Sequence, residues 1–257
     1  MQQPRIYPAK PRKIYLYATC LVDAFDPDTG LDAISLLEQQ GINVEFVPKQ
    51  TCCGQPAYSS GYTEEARAVA EHQMSLFPEN IPVVILSGSC GGMMVHHYPR
   101  LFKDHPLEAT AKSFSSRVFE LTEFLTNICR AQFKDQGEQT TVAMHTSCAA
   151  RREMNVHIYT AHLLGQLDNV EVKHPQYEEE CCGFGGTFSV RHPNISEAMV
   201  EDKSNNLKNT GGVEFVSADW GCMLNINGAL EYKGETFKGK HIARFLAERT
   251  GVAGGEQ

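Results

Sequence analysis

The chain has no run of 18 or more apolar residues, so it offers no helix that could span a bilayer. Its first stretch, Met1 to Lys13, carries basic side chains and three prolines but no apolar segment of the kind a signal peptide needs. The expectation is a cytoplasmic protein with no direct membrane insertion. Positive charge is not in surplus either. The 23 Lys and Arg stand against 31 Asp and Glu, a net charge of −8, whereas a nucleic-acid binder shows a basic face. Arg151-Arg152 is a small local exception. There is no Walker P-loop, and Gly183-Phe184-Gly185-Gly186 does not complete the dinucleotide signature, so no nicotinamide or flavin site is assigned. Cysteine pairs two to four residues apart, the usual mark of structural zinc, are also missing.

Cysteine itself is plentiful: nine residues, eight of them in a repeated order. Cys20, then Cys52-Cys53, then Cys90 is answered by Cys148, then Cys181-Cys182, then Cys222, at offsets of 128, 129 and 132 residues. Each doublet continues into glycine, Gly54 and Gly183. The pattern is a tandem duplication with small loop insertions, and four thiols kept per half point to a cofactor held once in each. A single cysteine is most often a small buried apolar residue, but that cannot explain eight at matched spacings. Disulfides need an oxidising compartment. A vicinal bridge would be strained, because adjacent Cα atoms lie about 3.8 Å apart and ordinary disulfides begin near 4.4 Å.

Both halves read as strands alternating with helices. The strands expected in the first half are 13–18, 42–47 and 83–87. A helix begins at Asp26-Pro27, with Leu31, Ile34 and Leu37 on one face, and closes at Gly41. A second helix carries Ala66, Val69, Ala70, Met74 and Phe77. The strands expected in the second half are 141–145, 170–173 and 213–217, with helices through Val156, Tyr159 and Leu163, over 195–208, and at Ile242, Phe245 and Leu246. The fold class that follows is α/β, as two pseudo-symmetric Rossmann-like repeats with parallel sheets flanked by helices. Residues 13–105 form the first cysteine-rich repeat, 106–139 a helical connector without a Pro/Gly/Ser-rich linker, and 140–250 the second repeat. A small polar tail after Thr250 is expected to fray. All cysteine stations are expected in loops after strands, where parallel sheets bind ligands. Cys129 sits on an apolar stripe with Val118, Leu121, Leu125 and Ile128 and reads as core.

Adjacent cysteines serve different points in space more easily than one tetrahedral ion. A [4Fe–4S] cluster offers separate irons, each taking its own thiolate, whereas zinc is one centre. Gly54, Gly91, Gly92, Gly183, Gly185 and Gly186 would let backbone N–H groups approach an anionic cluster. The expectation is two iron–sulfur clusters, on Cys20, Cys52, Cys53 and Cys90 and on Cys148, Cys181, Cys182 and Cys222. A zinc-stabilised structural or interaction module is the rival from another class. His96-His97 read as structural, as does His145, which could also donate to a cluster sulfur; Trp220 reads as core or as a shield.

The segments 51–57 (Thr-Cys-Cys-Gly-Gln-Pro-Ala), 87–93 (Ser-Gly-Ser-Cys-Gly-Gly-Met) with Tyr98-Pro99-Arg100, and 181–186 (Cys-Cys-Gly-Phe-Gly-Gly) resemble the duplicated cysteine-rich CCG domain of the heterodisulfide reductases and related redox proteins. Within that superfamily the chain is similar to the lactate-utilisation protein A family, from Ile14 to about Glu248. The fullest form of the superfamily ends each repeat in CxxC, and here those last positions are Met93 and Asn225. That departure argues against the unusual five-cysteine clusters that perform disulfide chemistry. Four thiolates suffice for a fully ligated [4Fe–4S] centre, whose natural job is electron transfer. The resemblance implies a partner-dependent subunit of an L-lactate oxidation (lactate to pyruvate) system, working with other subunits. A heterodisulfide-reductase-like subunit, or one associated with glycolate or glycerol-3-phosphate dehydrogenase, is the nearest rival.

Overall fold

The computed structural model describes residues 5–252. Beyond Val252 the tail expected to fray lies outside the described residues. Among the described residues, eight strands form two four-stranded sheets of the same order. The first is β2-β1-β3-β4, from β1 (Lys13–Tyr17), β2 (Asn43–Phe46), β3 (Val83–Ile85) and β4 (Val118–Glu120). The second is β6-β5-β7-β8, from β5 (Thr140–His145), β6 (Val170–Lys173), β7 (Glu214–Ser217) and β8 (Gly239–His241). Every pairing is parallel. In each sheet the chain reverses its direction of travel between the first strand and the third, and a crevice opens there at the carboxyl ends. The α/β duplication expected from the cysteine order is therefore the architecture seen.

Strand alternation divides the interior. Ile14, Leu16 and Val84 of the first sheet join Val142, Met144 and Val216 of the second in one core shared by the halves. Their neighbours Tyr15, Tyr17, Val83 and Ile85 face an outer core of the first half, and Ala143 and Phe215 face that of the second. Helix contacts are reciprocal. The helix Pro27–Gln39 packs on Ile242–Thr250 across the halves, and Val156–Leu164 packs on Leu121–Phe124 in the opposite sense. Cys20–Phe25 meets Trp220–Tyr232, and Gly88–Gly92 meets Cys148–Met154. Each pairing recurs with the halves exchanged, as a pseudo-two-fold axis requires.

Two expectations are corrected, and two strands appear that were not expected. In Pro27–Gln39 the buried stripe is Ala33, Leu36 and Leu37, while Leu31 is 46% exposed; burial in the shared core, rather than the spacing of the largest side chains, sets the face. Residues 106–139 are not wholly helical, since they supply β4 as well as helices. Both outer strands, β4 and β8, are three residues long, too short for a period-two pattern to register. Among the described residues, no helix is long and apolar enough to cross a membrane.

Candidate functional site

All eight repeated cysteines line one cavity of about 790 Å³ at the carboxyl ends of the strands. Only the doublets lie in loops. Cys20 and Cys148 open helices directly after β1 and β5, and Cys90 and Cys222 are the third residues of helices after β3 and β7. This corrects the expectation that every station is a loop. Gly54 and Gly183 follow the doublets with φ of +89° and +81°, the left-handed region that side chains resist. They turn Cys53 and Cys182 inward, where both are buried.

Within each set the thiols act on one another in sequence order, Cys20 on Cys52, Cys52 on Cys53 and Cys53 on Cys90. Cys148, Cys181, Cys182 and Cys222 repeat that order, with Cys148 Sγ 3.9 Å from Cys181 Sγ. Donation from Cys20 and Cys53, helped by the Gly54 N–H, holds the Cys52 thiol well below its usual pKa. Donation from Cys148 and Cys182, with Gly183 N donating to Sγ at 3.4 Å, does the same for Cys181. The donors Cys20 and Cys148 are driven up. Thiolate is the ligating form, and in each set the first cysteine of the doublet is the one whose proton is held least tightly. Among the described residues, no group of three or more His, Cys, Asp or Glu is placed to hold a single metal ion.

The shells around the two doublets do the same job with different residues. Tyr98 donates its hydroxyl to the Cys53 carbonyl at 2.9 Å, and Asn225 donates its amide to the Cys182 carbonyl at 2.8 Å. Met93, at the position equivalent to Asn225, is fully buried in the outer core. Asp219 went unnoticed in the sequence. It is 2% exposed and accepts from Ser89 N at 2.9 Å and Gly221 N at 3.2 Å, joining the Cys90 helix to the Cys222 helix across the halves. Its place three residues before Cys222, matching the N-cap Ser87 before Cys90, is the signal that could have found it. Trp220 stacks on Phe25 with centroids 6.5 Å apart and donates Nε1 to Asp26 at 3.2 Å, so it clasps the Cys20 helix from the other half.

Gly88 and Gly92 serve packing. A Cβ on Gly88 would lie 2.3 Å from that of Ala150, so the Cys90 and Cys148 helices touch backbone to backbone. His96 and His97 bond Glu153 of the second half, through its carbonyl at 2.8 Å and its carboxylate at 3.0 Å. Fully buried His145 bonds the Ser217 hydroxyl at 2.9 Å through Nδ1, and desolvation pulls its pKa down to about 3, so it is neutral. Cys129 is half-buried against the shared core, and desolvation raises its thiol to about 11. A second cavity, of about 810 Å³, holds no cysteine. Two pairs of its polar groups answer each other, Arg5 with Glu123 at 3.0 Å and Tyr7 with Tyr159 at 3.0 Å.

The cysteine-rich domain model of the CCG type matches the chain twice, over residues 14–95 and 142–227. Lactate utilization protein A of Halalkalibacterium halodurans is 40% identical over 241 residues, covering 93% of this chain and 98% of that protein. The protein of the same name from Shouchella clausii is 40% identical over 234 residues, covering 91% and 98%. That from Bacillus cytotoxicus is 38% identical over 239 residues, covering 93% and 100%. Among solved structures, a hypothetical protein from Helicobacter pylori matches the whole chain with a TM-score of 0.65 at 10% identity, a likeness of fold. The chain spans about half of that protein, 52% of its length.

Proposed function

Because the chain belongs to the cysteine-rich CCG family and, within it, to the lactate utilization protein A family, we propose that it is an iron–sulfur electron-transfer subunit of a multi-subunit system that oxidises L-lactate to pyruvate. The observation that carries the reading is the single cavity lined by two equivalent sets of four cysteines. Cys20, Cys52, Cys53 and Cys90 would hold one [4Fe–4S] cluster, and Cys148, Cys181, Cys182 and Cys222 the other. Four thiols per set, two of them adjacent in sequence, suit several irons better than one zinc. When bound, such a cluster takes up and releases one electron. The chain supplies what surrounds it: primed thiolates, the N–H groups of Gly54 and Gly183 aimed at sulfur, and walls from Leu21, Pro56, Phe184 and Trp220 that thin the water nearby.

The division that fits this role is a cysteine repeat over 13–105, a connector over 106–139 and a second repeat over 140–250. The protein works in the cytoplasm, where thiols stay reduced, alongside partner subunits that bind lactate and accept electrons. Anaerobic purification should give about eight iron and eight labile sulfide per chain, the content of two [4Fe–4S] clusters, with an EPR signal after reduction. Stoichiometric zinc without sulfide would overturn the reading. So would lactate oxidation by this chain alone, which would move the active site into it.

A further inference from the structure

The duplication allows the surroundings of the two cysteine sets to be compared position by position. The residue that a Cβ on Gly54 would meet is Ala66, through its carbonyl, and for Gly183 it is Ser196, again through its carbonyl. Val69 and Met199 are the next neighbours of the same two glycines. The helices Thr63–Leu76 and Pro193–Lys208 are therefore in register at an offset of 130, and two turns on from Ala66 and Ser196 the register pairs Gln73 with Lys203. Both side chains are fully buried. Gln73 is a neutral amide whose Nε2 donates to the Thr51 hydroxyl, just before Cys52. Lys203 is an ammonium whose Nζ donates to the Tyr177 and Glu178 carbonyls at 3.2 and 3.0 Å, just before Cys181.

A lysine with no exposed surface is rare unless it is paired, and its hydrogen-bond partners here are carbonyls, which do not neutralise it. Val200 and Leu207 flank Lys203 on the same helical face and pack with Cys182 and Cys222. Desolvation pulls the Lys203 pKa down, and the neighbouring Glu180, Cys222, Cys182 and Glu178 act to hold the proton on it. Glu178, Glu179 and Glu180 precede Cys181 where Lys49, Gln50 and Thr51 precede Cys52, but Glu178 is paired with Arg151, and Glu179, Glu180 and Lys49 are exposed and screened by solvent. Asp219 bridges the two sets, touching the first turn of the Cys90 helix and the first turn of the Cys222 helix. Arg151 stands at the repeat position of exposed Asp23 but is occupied by Glu178 and Glu179, and exposed Arg152 is screened by solvent.

We propose that Lys203 makes the two centres electrostatically unequal, by placing a buried cation against the second cysteine set where the first has only Gln73. The inference rests on the iron–sulfur reading above. Adding an electron makes a thiolate-ligated cluster more negative, and a desolvated cation beside it lowers the cost of that charge. The centre of Cys148, Cys181, Cys182 and Cys222 accordingly has the higher reduction potential, and an electron shared between the two rests there.

The test is an EPR-monitored redox titration on forms that keep one centre each, Cys53→Ser for the second and Cys182→Ser for the first. The second centre should titrate at higher potential than the first. Lys203→Gln should lower the second-centre potential and leave the first where it is, while Lys203→Arg, which keeps the charge, should hold it. The reciprocal Gln73→Lys should raise the first, and it keeps the idea testable if Lys203→Gln does not fold. Equal potentials, or a Lys203→Gln variant that folds with an unmoved second centre, would overturn the assignment while leaving the clusters in place. Absence of iron and sulfide from the unmodified protein would instead bring down the iron–sulfur reading, and this inference with it.

Discussion

Replacing Gly183 by alanine tests how the doublet loop is built, because three glycines form a graded series. Gly41, Gly54 and Gly183 all have left-handed backbones, with φ of +74°, +89° and +81°. A Cβ at Gly41 would meet nothing within 4 Å, one at Gly54 would rest 3.4 Å from the Ala66 carbonyl oxygen, and one at Gly183 would lie 2.8 Å from that of Ser196. Left-handed backbone costs an L-residue about 1–2 kcal/mol, and the stiffer unfolded chain returns about 0.4–1 kcal/mol. Gly41→Ala should therefore lose about 0.5–1 kcal/mol. At Gly183 the obstacle is backbone inside a 16-residue helix, and Ser196 is tied to the loop by its own hydroxyl, which donates to the Gly183 carbonyl at 2.9 Å. Overpacking of that kind adds about 1–3 kcal/mol, for a total near 2–4 kcal/mol. At about 2–4 °C per kcal/mol for a chain of this size, Gly183→Ala should melt roughly 4–16 °C lower, and Gly54→Ala should fall between the two others. Thermal unfolding followed by circular dichroism, with iron content measured alongside, gives both readouts. The reasoning fails if Gly183→Ala is no less stable than Gly41→Ala and keeps its full iron.

Serine at Cys53 or Cys182 should remove the signal of one centre and impair lactate-dependent electron flow in the reconstituted complex, since a hard oxygen is a poor partner for cluster iron. Serine at Cys129, outside the cavity, should leave both EPR signals at wild-type amplitude. A pH series on the metal-free chain checks Glu120, fully buried with one carboxylate oxygen unpartnered and lifted by desolvation from 4.5 to about 8. A proton held more tightly in the folded state gives stability that is full below pH 4.5 and lost as pH rises through about 8. His145 and His241, held by desolvation at about 3 and 4 against 6.5, act oppositely, with stability full above 6.5 and lost as pH falls. Glu120→Gln should erase the alkaline decline in urea midpoints and leave the acid limb in place. An unchanged alkaline decline would show that Glu120 is not its source.

How far the fold could be read depended on where burial left a mark on composition. β1, β3, β5 and β7 are apolar runs flanked by sheet or helix on both faces, and their signal survives in the bare sequence. β4 and β8 pair on one side only, and Gly239-Lys240-His241 looks like a turn until its neighbour Phe215 is seen beside it. The cysteine stations were legible because the repeat writes them twice. Their surroundings were not, because the two halves reach the same end by different residues, Tyr98 in one and Asn225 in the other. Asp219 was hidden for a related reason. An N-cap aspartate is ordinary in any helix, and only its second contact, across to Ser89, gives it meaning.

That cross-half contact is one of several on the same principle, and together they bear on why the two repeats stay in one chain. Cys90 rides on a helix whose Gly88 is pressed against Ala150 of the Cys148 helix. Cys20 rides on a helix clasped by Trp220, two residues from Cys222. Each cysteine set therefore takes one of its helices' bearings from the other half. A half on its own would lose those bearings and would also bare Leu16 and Val84, or Val142 and Met144, to water, at about 25 cal/mol for each Å² of apolar surface uncovered. The shared core and the shared cavity are consequences of the same packing: the contact that hides the inner faces of the sheets is the one that brings eight thiols to a single space.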